Sequence, residues 1–271
     1  MLLLFTAEKA LFAQATLMID PKRIVFENNK RTDDVTLYNS GNDTTSYLIS
    51  FRHFEMLESG ELKRVDSAIN GIAFADSLIR IFPRGVRLAP HTSQVVRLQF
   101  LKPKGLSPAE YRTHVYVVEA DPAKALGAPA SDSTDKTIAL KIRAIVGLAI
   151  PVIIRYQTKP PVISLSNLAL SGADTSGNLT VTFQMNRSGD ESCYGNLLLS
   201  YKEPDGKSIL LSENKGTGVY VPLSRRNFTM KFKLPEGIKL NKGGALKLEY
   251  RNSSDSQKEM ILAMTELPVV K

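Results

Sequence analysis

The stretch TIALKIRAIVGLAIPVIIR, Thr137 to Arg155, decides how the rest of the chain is read. Up to Pro151 it holds no turn residue except Gly147, and it reads as one long β-strand ending near Pro151. Side chains of a strand alternate between its two faces, so Ile138, Leu140, Ile142, Ala144, Val146, Leu148 and Ile150 form one apolar row. Ala139, Lys141, Arg143, Ile145, Gly147 and Ala149 line the other face. A row this apolar must be covered by a core or by a partner. The tract before it, DPAKALGAPASDSTD (121–135), has little to bury and reads as a mobile loop. A loop of that kind favours a sheet edge, where unpaired N–H and C=O groups can accept a strand from another chain. An ordinary core strand is the alternative.

Outward from this stretch the pattern is β throughout. LMIDPKRIVFEN (17–28), DDVTLYNSGND (33–43) and TSYLISFRHFEM (45–56) are apolar alternations bounded by Asn, Gly, Asp or Pro. LESGELKRVDSAINGIAFADS (57–77) reads as a hairpin followed by a loop. SLIRIFPRGVRLAP (77–90) is a strand broken at Pro83, where the missing N–H implies a kink, an edge or a change of sheet. In TSQVVRLQFL (92–101), Val95, Arg97 and Gln99 alternate against Val96, Leu98 and Phe100, and EYRTHVYVVEA (110–120) follows. About seven such runs in about 140 residues, with turn signals between them, predict an immunoglobulin-like sandwich.

The prolines of YQTKPP (156–161) break the pattern and place a domain boundary near Lys159. The second part repeats the style in VISLSNLALSG, NLTVTFQMNRSG, NLLLSYKEPDGKSILLSE, NFTMKFKLPEG, ALKLEYRN and MILAMTELPVV, with Asp205-Gly206 as a hairpin turn. The expected layout is all-β: a domain over 17–158 and a smaller sandwich over 159–271. Residues 1–16 have the look of an irregular signal segment, with apolar Leu2 to Phe5 and an A-x-A pattern at Ala13 to Ala15, but no basic start.

Charge and chemistry narrow the function. The net charge of +8 is spread among acids rather than gathered into basic runs with aromatics, so the sequence does not point to nucleic acid. Beyond the first residues, no apolar run is long enough to span a bilayer without charges. The single Cys193 excludes an internal disulfide, and His53, His91 and His114 lack metal-ligand spacing. No G-x-S-x-G occurs. Gly216 and Gly218 in KGTGVY read as a turn, and Asp33-Asp34 as solvated turn acids. The expectation is a protein that is not an enzyme and needs no cofactor or metal.

Taken together, IDPKRIVFENN, VTLYNSG, IRIFPRGVRLAPHTSQVVRLQF and GLAIPVIIR resemble the periplasmic pilus-assembly chaperones of the chaperone–usher pathway, the PapD-like family. The most specific parts are the order Pro83, Leu88, Pro90, Gln94, Arg97 and the I-P-V-x-x-R ending at Arg155. The resemblance implies two immunoglobulin-like domains set in an L. It also implies a chaperone that holds fimbrial or pilus subunits by lending strand G1 to complete their sheet, then hands them to an outer-membrane usher. In that picture the opening stretch is G1, and Ile142, Ala144, Val146 and Leu148 are the donor residues. Arg23 matches an arginine that anchors the subunit's C-terminal carboxylate, a role suited to a bidentate guanidinium. The second anchoring cation of the family falls at Pro151; Lys141, Arg143 and Arg112 are candidate substitutes, none of them assigned. Arg155 matches an arginine of an interdomain ion network, whose acidic partner on the preceding strand is replaced near Arg112. The implied location is the periplasm, and a self-capping dimer is left open. The competing reading is an immunoglobulin-like surface or structural protein that never lends a strand.

Overall fold

The computed structural model describes residues 17–67, 71–120, 147–252 and 260–270. The chain divides into two compact units, the first drawn from Met1–Arg52, Asp76–Pro103 and Thr113–Val152, the second from His53–Ala75, Lys104–Arg112 and Ile153–Lys271. The described residues are almost wholly β, as the alternations require, and build two immunoglobulin-like sandwiches.

One sheet of the first sandwich is four-stranded, in the order β1 (Leu17–Asp20), β3 (Thr32–Asn39), β9 (Ser93–Phe100) and β7 (Ile79–Phe82). In β9 the alternation reads directly as burial: Val96, Leu98 and Phe100 are buried while Val95, Arg97 and Gln99 are exposed. Its partner sheet runs β2 (Ile24–Phe26), β11 (Gly147–Tyr156), β10 (Ala109–Glu119), β4 (Thr45–Met56) and β5 (Leu62–Val65). Two short strands join it, β8 (Gly85–Leu88) on β4 and β6 (Ala73–Phe74) parallel to β10. Ile24, Phe26, Leu37, Leu98, Val115 and Val152 are almost fully buried, and each such side chain contributes roughly 1.5–3 kcal/mol by leaving water.

Pro83 is a change of sheet: β7 before it pairs with β9, and β8 after it pairs with β4. The same event occurs at Pro21, where the sequence pattern suggested one continuous strand. There β1 pairs with β3, while β2 lies in the other sheet. A proline cannot donate to a ladder, which makes both positions natural exits from one. The strand containing Pro151, in contrast, does not end near it, since β11 continues to Tyr156. β11 is also second in its sheet rather than last. Its outer neighbour β2 has only three residues against ten in β11, so β2 can pair with only part of that strand, and a proline is tolerated where no ladder donor is needed.

The second unit packs β12 (Val162–Ser171), β13 (Leu179–Ser188) and β16 (Arg225–Phe232) in one sheet. The other sheet holds β15 (Ser208–Val219), β14 (Cys193–Lys202), β17 (Ala245–Asn252) and β18 (Ile261–Pro268). Phe183, Met185, Leu197, Leu199, Tyr201 and Tyr250 fill the space between them. Asp205-Gly206 turns the β14–β15 hairpin as expected, with Gly206 at φ +91° and its N–H donating to Glu203 O. Gly216 and Gly218 are not a turn but lie in β15, where the pairing with β14 shifts register between Gly195 and Leu197. Gly216, at φ +68°, supplies the positive φ of this bulge. Asp33 and Asp34 likewise lie in β3 rather than in a turn, each beside a cation.

Candidate functional site

Of the expected donor residues, Ile142, Ala144 and Val146 lie outside the described residues. Leu148 is described: it is half-buried near the start of β11, in phase with the buried Ile150, Val152 and Ile154. The apolar row of the sequence therefore continues into the core face of the first sandwich. On the opposite face, Gly147 leaves room for Tyr116 of β10; a Cβ at Gly147 would run into the phenol ring. Arg52 of β4 stacks on the same ring, its guanidinium carbon 5.1 Å from the centroid. A glycine is required here by the close approach of an aromatic ring, not by an unusual φ.

Arg23 is half-buried in the link between β1 and β2, immediately before Ile24. The strand that follows it, β2, is the one that neighbours β11. Arg112, one candidate for a second cation, is committed elsewhere. It is 4% exposed, donates from Nη1 to Val221 O at 3.0 Å and from Nη2 to Phe54 O at 3.1 Å, and lies over the ring of Tyr220. Lys141 and Arg143 lie outside the described residues.

Arg155 is the focus of a buried network inside the second unit. Its Nε stands 3.2 Å from the Glu191 carboxylate and 3.5 Å from that of Glu110, and its Nη2 donates to Ser192 O at 3.0 Å. Glu110 accepts from the Ser192 N–H at 2.8 Å and from the Ser192 hydroxyl, which in turn accepts from Val221 N–H at 3.0 Å. Thr158 donates its hydroxyl to Glu191 at 2.8 Å. One acid facing Arg155 is thus two residues before Arg112 on β10. Sequence reading passed over Glu110, because nothing local distinguishes a glutamate at the head of a strand from a solvated one.

Leu88 and Arg97 of the Pro83–Arg97 motif make structural contacts. Leu88 is 3% exposed. Arg97 lies opposite Asp34 in the β3–β9 pairing and grips it with two hydrogen bonds of 2.9 and 3.0 Å. The hydrogen bonds from that guanidinium, opposed by desolvation, hold the Asp34 carboxyl below its ordinary range. Burial pushes the Cys193 thiol up, which keeps it protonated and poorly nucleophilic. His53 stacks on Phe74 with centroids 3.9 Å apart. Among the described residues no group of three or more His, Cys, Asp or Glu could hold a metal, and no helix is long and apolar enough to cross a membrane.

The geometry defines a class: an all-β protein of two immunoglobulin-like sandwiches. The chain also matches solved chaperone structures over nearly its whole length. One is the chaperone of the CsuC–CsuE chaperone–tip adhesion subunit pre-assembly complex from archaic chaperone–usher Csu pili of Acinetobacter baumannii, at 14% identity and a TM-score of 0.46, covering 93% of this chain and 98% of that one. The E. coli chaperone DraB matches at 13% identity and a TM-score of 0.44, covering 94% and 96%. The complex of Salmonella enterica SafA pilin with the SafB chaperone matches at 15% and 0.43, covering 95% and 98%. No family model and no curated protein sequence matches the chain. At these identities the likeness transfers no functional residue.

Proposed function

We propose that the chain is a periplasmic chaperone for pilus or fimbrial subunits, one that binds a subunit by donating strand residues Ile142, Ala144, Val146 and Leu148 and passes it to an outer-membrane usher. The observation that carries this reading is the course of the apolar row. It alternates from Ile138 to Leu148 in sequence, and its described end, Leu148, lies in β11, whose outer neighbour is only three residues long. A strand so placed can offer main-chain groups to an incomplete sheet while alternate side chains fill its pockets. Burying four or five such side chains is worth on the order of 10 kcal/mol before the costs of association. No catalytic group or cofactor enters this mechanism. Arg23, beside β2, is assigned to the subunit's C-terminal carboxylate, and the Arg155 network to fixing the end of β11.

The test is co-expression with the pilin-like subunit encoded nearest to the protein. Ile142→Asp with Val146→Asp abolishes co-purification of the subunit while the circular dichroism of the chaperone stays unchanged. Undiminished capture by the folded variant would instead favour a surface or structural protein that lends no strand.

A further inference from the structure

We infer that the turn of the β4–β5 hairpin is a salt-labile clasp on β16, which opens locally while the rest of the second unit stays folded. The turn closes through Leu57 N–H to Glu61 O at 2.9 Å and Gly60 N–H to Leu57 O at 2.8 Å, with Gly60 at φ +88°. Its Glu58 reaches the first residues of β16. The carboxylate accepts from Arg225 Nη2 at 2.9 and 3.2 Å and from Asn227 Nδ2 at 3.3 Å, and the Glu58 carbonyl accepts from Asn227 N–H at 2.8 Å. Gly60 lies flat on the Arg226 guanidinium; a Cβ there would overlap it.

The forces on this contact are of one kind. Met56 and Val65 at the roots of the hairpin are buried, but no residue from Leu57 to Arg64 is. The tip therefore has no apolar plug, and its hold rests on hydrogen bonds and an ion pair. The paired side chains of Arg225 and Glu58 are 49% and 45% exposed, a setting in which ion pairs contribute little and salt screens them. Closure also has a cost, because burial disfavours the charged Arg226 and its Nε meets no acceptor among the described residues. Opening returns that nitrogen to water and offsets part of what is lost. Met56 and Val65 mark where the motion ends, as the boundary of a low-stability segment against a packed one.

Amide exchange of the full-length chain, followed residue by residue by NMR, tests this. Raising sodium chloride from about 0.05 to about 1 M, or replacing Glu58 by Ala, is expected to speed exchange of the Asn227 and Gly60 N–H groups about two- to fivefold, the scale of losing one exposed ion pair. The amides of Phe183, Leu199 and Leu248 stay unchanged. Two results would overturn the clasp: Asn227 exchanging in step with those core amides under all conditions, or the whole unit accelerating together.

Discussion

Arg155 of β11 and Glu110 of β10 stand 3.5 Å apart, with Ser192 bonded to both: its carbonyl accepts from the arginine while its N–H and hydroxyl donate to the glutamate. The Glu110 side chain is 1% exposed. A carboxylate this deeply placed is sustained only by its partners, and they in turn depend on it.

Glu110→Ala should therefore destabilise the protein by about 1–3 kcal/mol, the usual cost of leaving buried donors without their acceptor, since Ser192 loses its partner while Arg155 keeps Glu191. Denaturant unfolding measures it. Glu110→Gln, which keeps the size and one acceptor, should cost less than the alanine.

Gly147→Val should weaken the first sandwich by roughly 1–3 kcal/mol, because the new side chain must displace the Tyr116 ring. The ring is the obstacle, so Gly147→Val in a Tyr116→Ser background should recover most of the loss. A double-mutant cycle in thermal unfolding gives the coupling directly.

Acid stability should depend on Glu249. Burial raises its pKa, but the hydrogen bonds from Lys247, at 2.6 Å, and from Arg251 outweigh that, and the carboxyl lies below its ordinary value. A folded value below the unfolded one, about 4.3, means the contribution is fully present above that pH and is lost as the pH falls through the folded value. Glu249→Gln should flatten the acid limb of the stability curve between those two values. A limb of unchanged steepness would show that the Lys247–Glu249–Arg251 row adds nothing.

Arg23→Ala should weaken capture of a subunit with a free C-terminal carboxylate by about ten- to a hundredfold, the range for removing a hydrogen bond to a charged group. It should leave a subunit extended at its C-terminus less affected. Equal losses on both, in titration calorimetry, would argue against carboxylate recognition.

The sequence was most informative where a local chemical rule acts alone. Pro83 announced a break that could be a kink, an edge or a change of sheet, because a missing N–H has few remedies, and the structure shows the last of these; the alternation of Val95 to Phe100 mapped residue by residue onto burial in β9. Pro21 carried the same signal, but the apolar residues on both sides of it gave the look of one strand. Gly216 is ambiguous in kind, since a turn and a bulge both need a residue free to take positive φ. The candidate site was less legible. Glu110 meets Ser192 across 82 residues, and Glu58 meets Asn227 across 169. Such partners are set by packing, which no local spacing reports.

In the proposed mechanism residues 142–148 form the strand given to a subunit. Amide exchange of the chaperone, measured alone and with the pilin-like subunit bound, addresses this directly. The N–H groups of Ile142 to Leu148 are predicted to gain strong protection in the complex, as ladder donors do. A subunit that binds while these amides exchange as they did in the free protein would contradict strand donation.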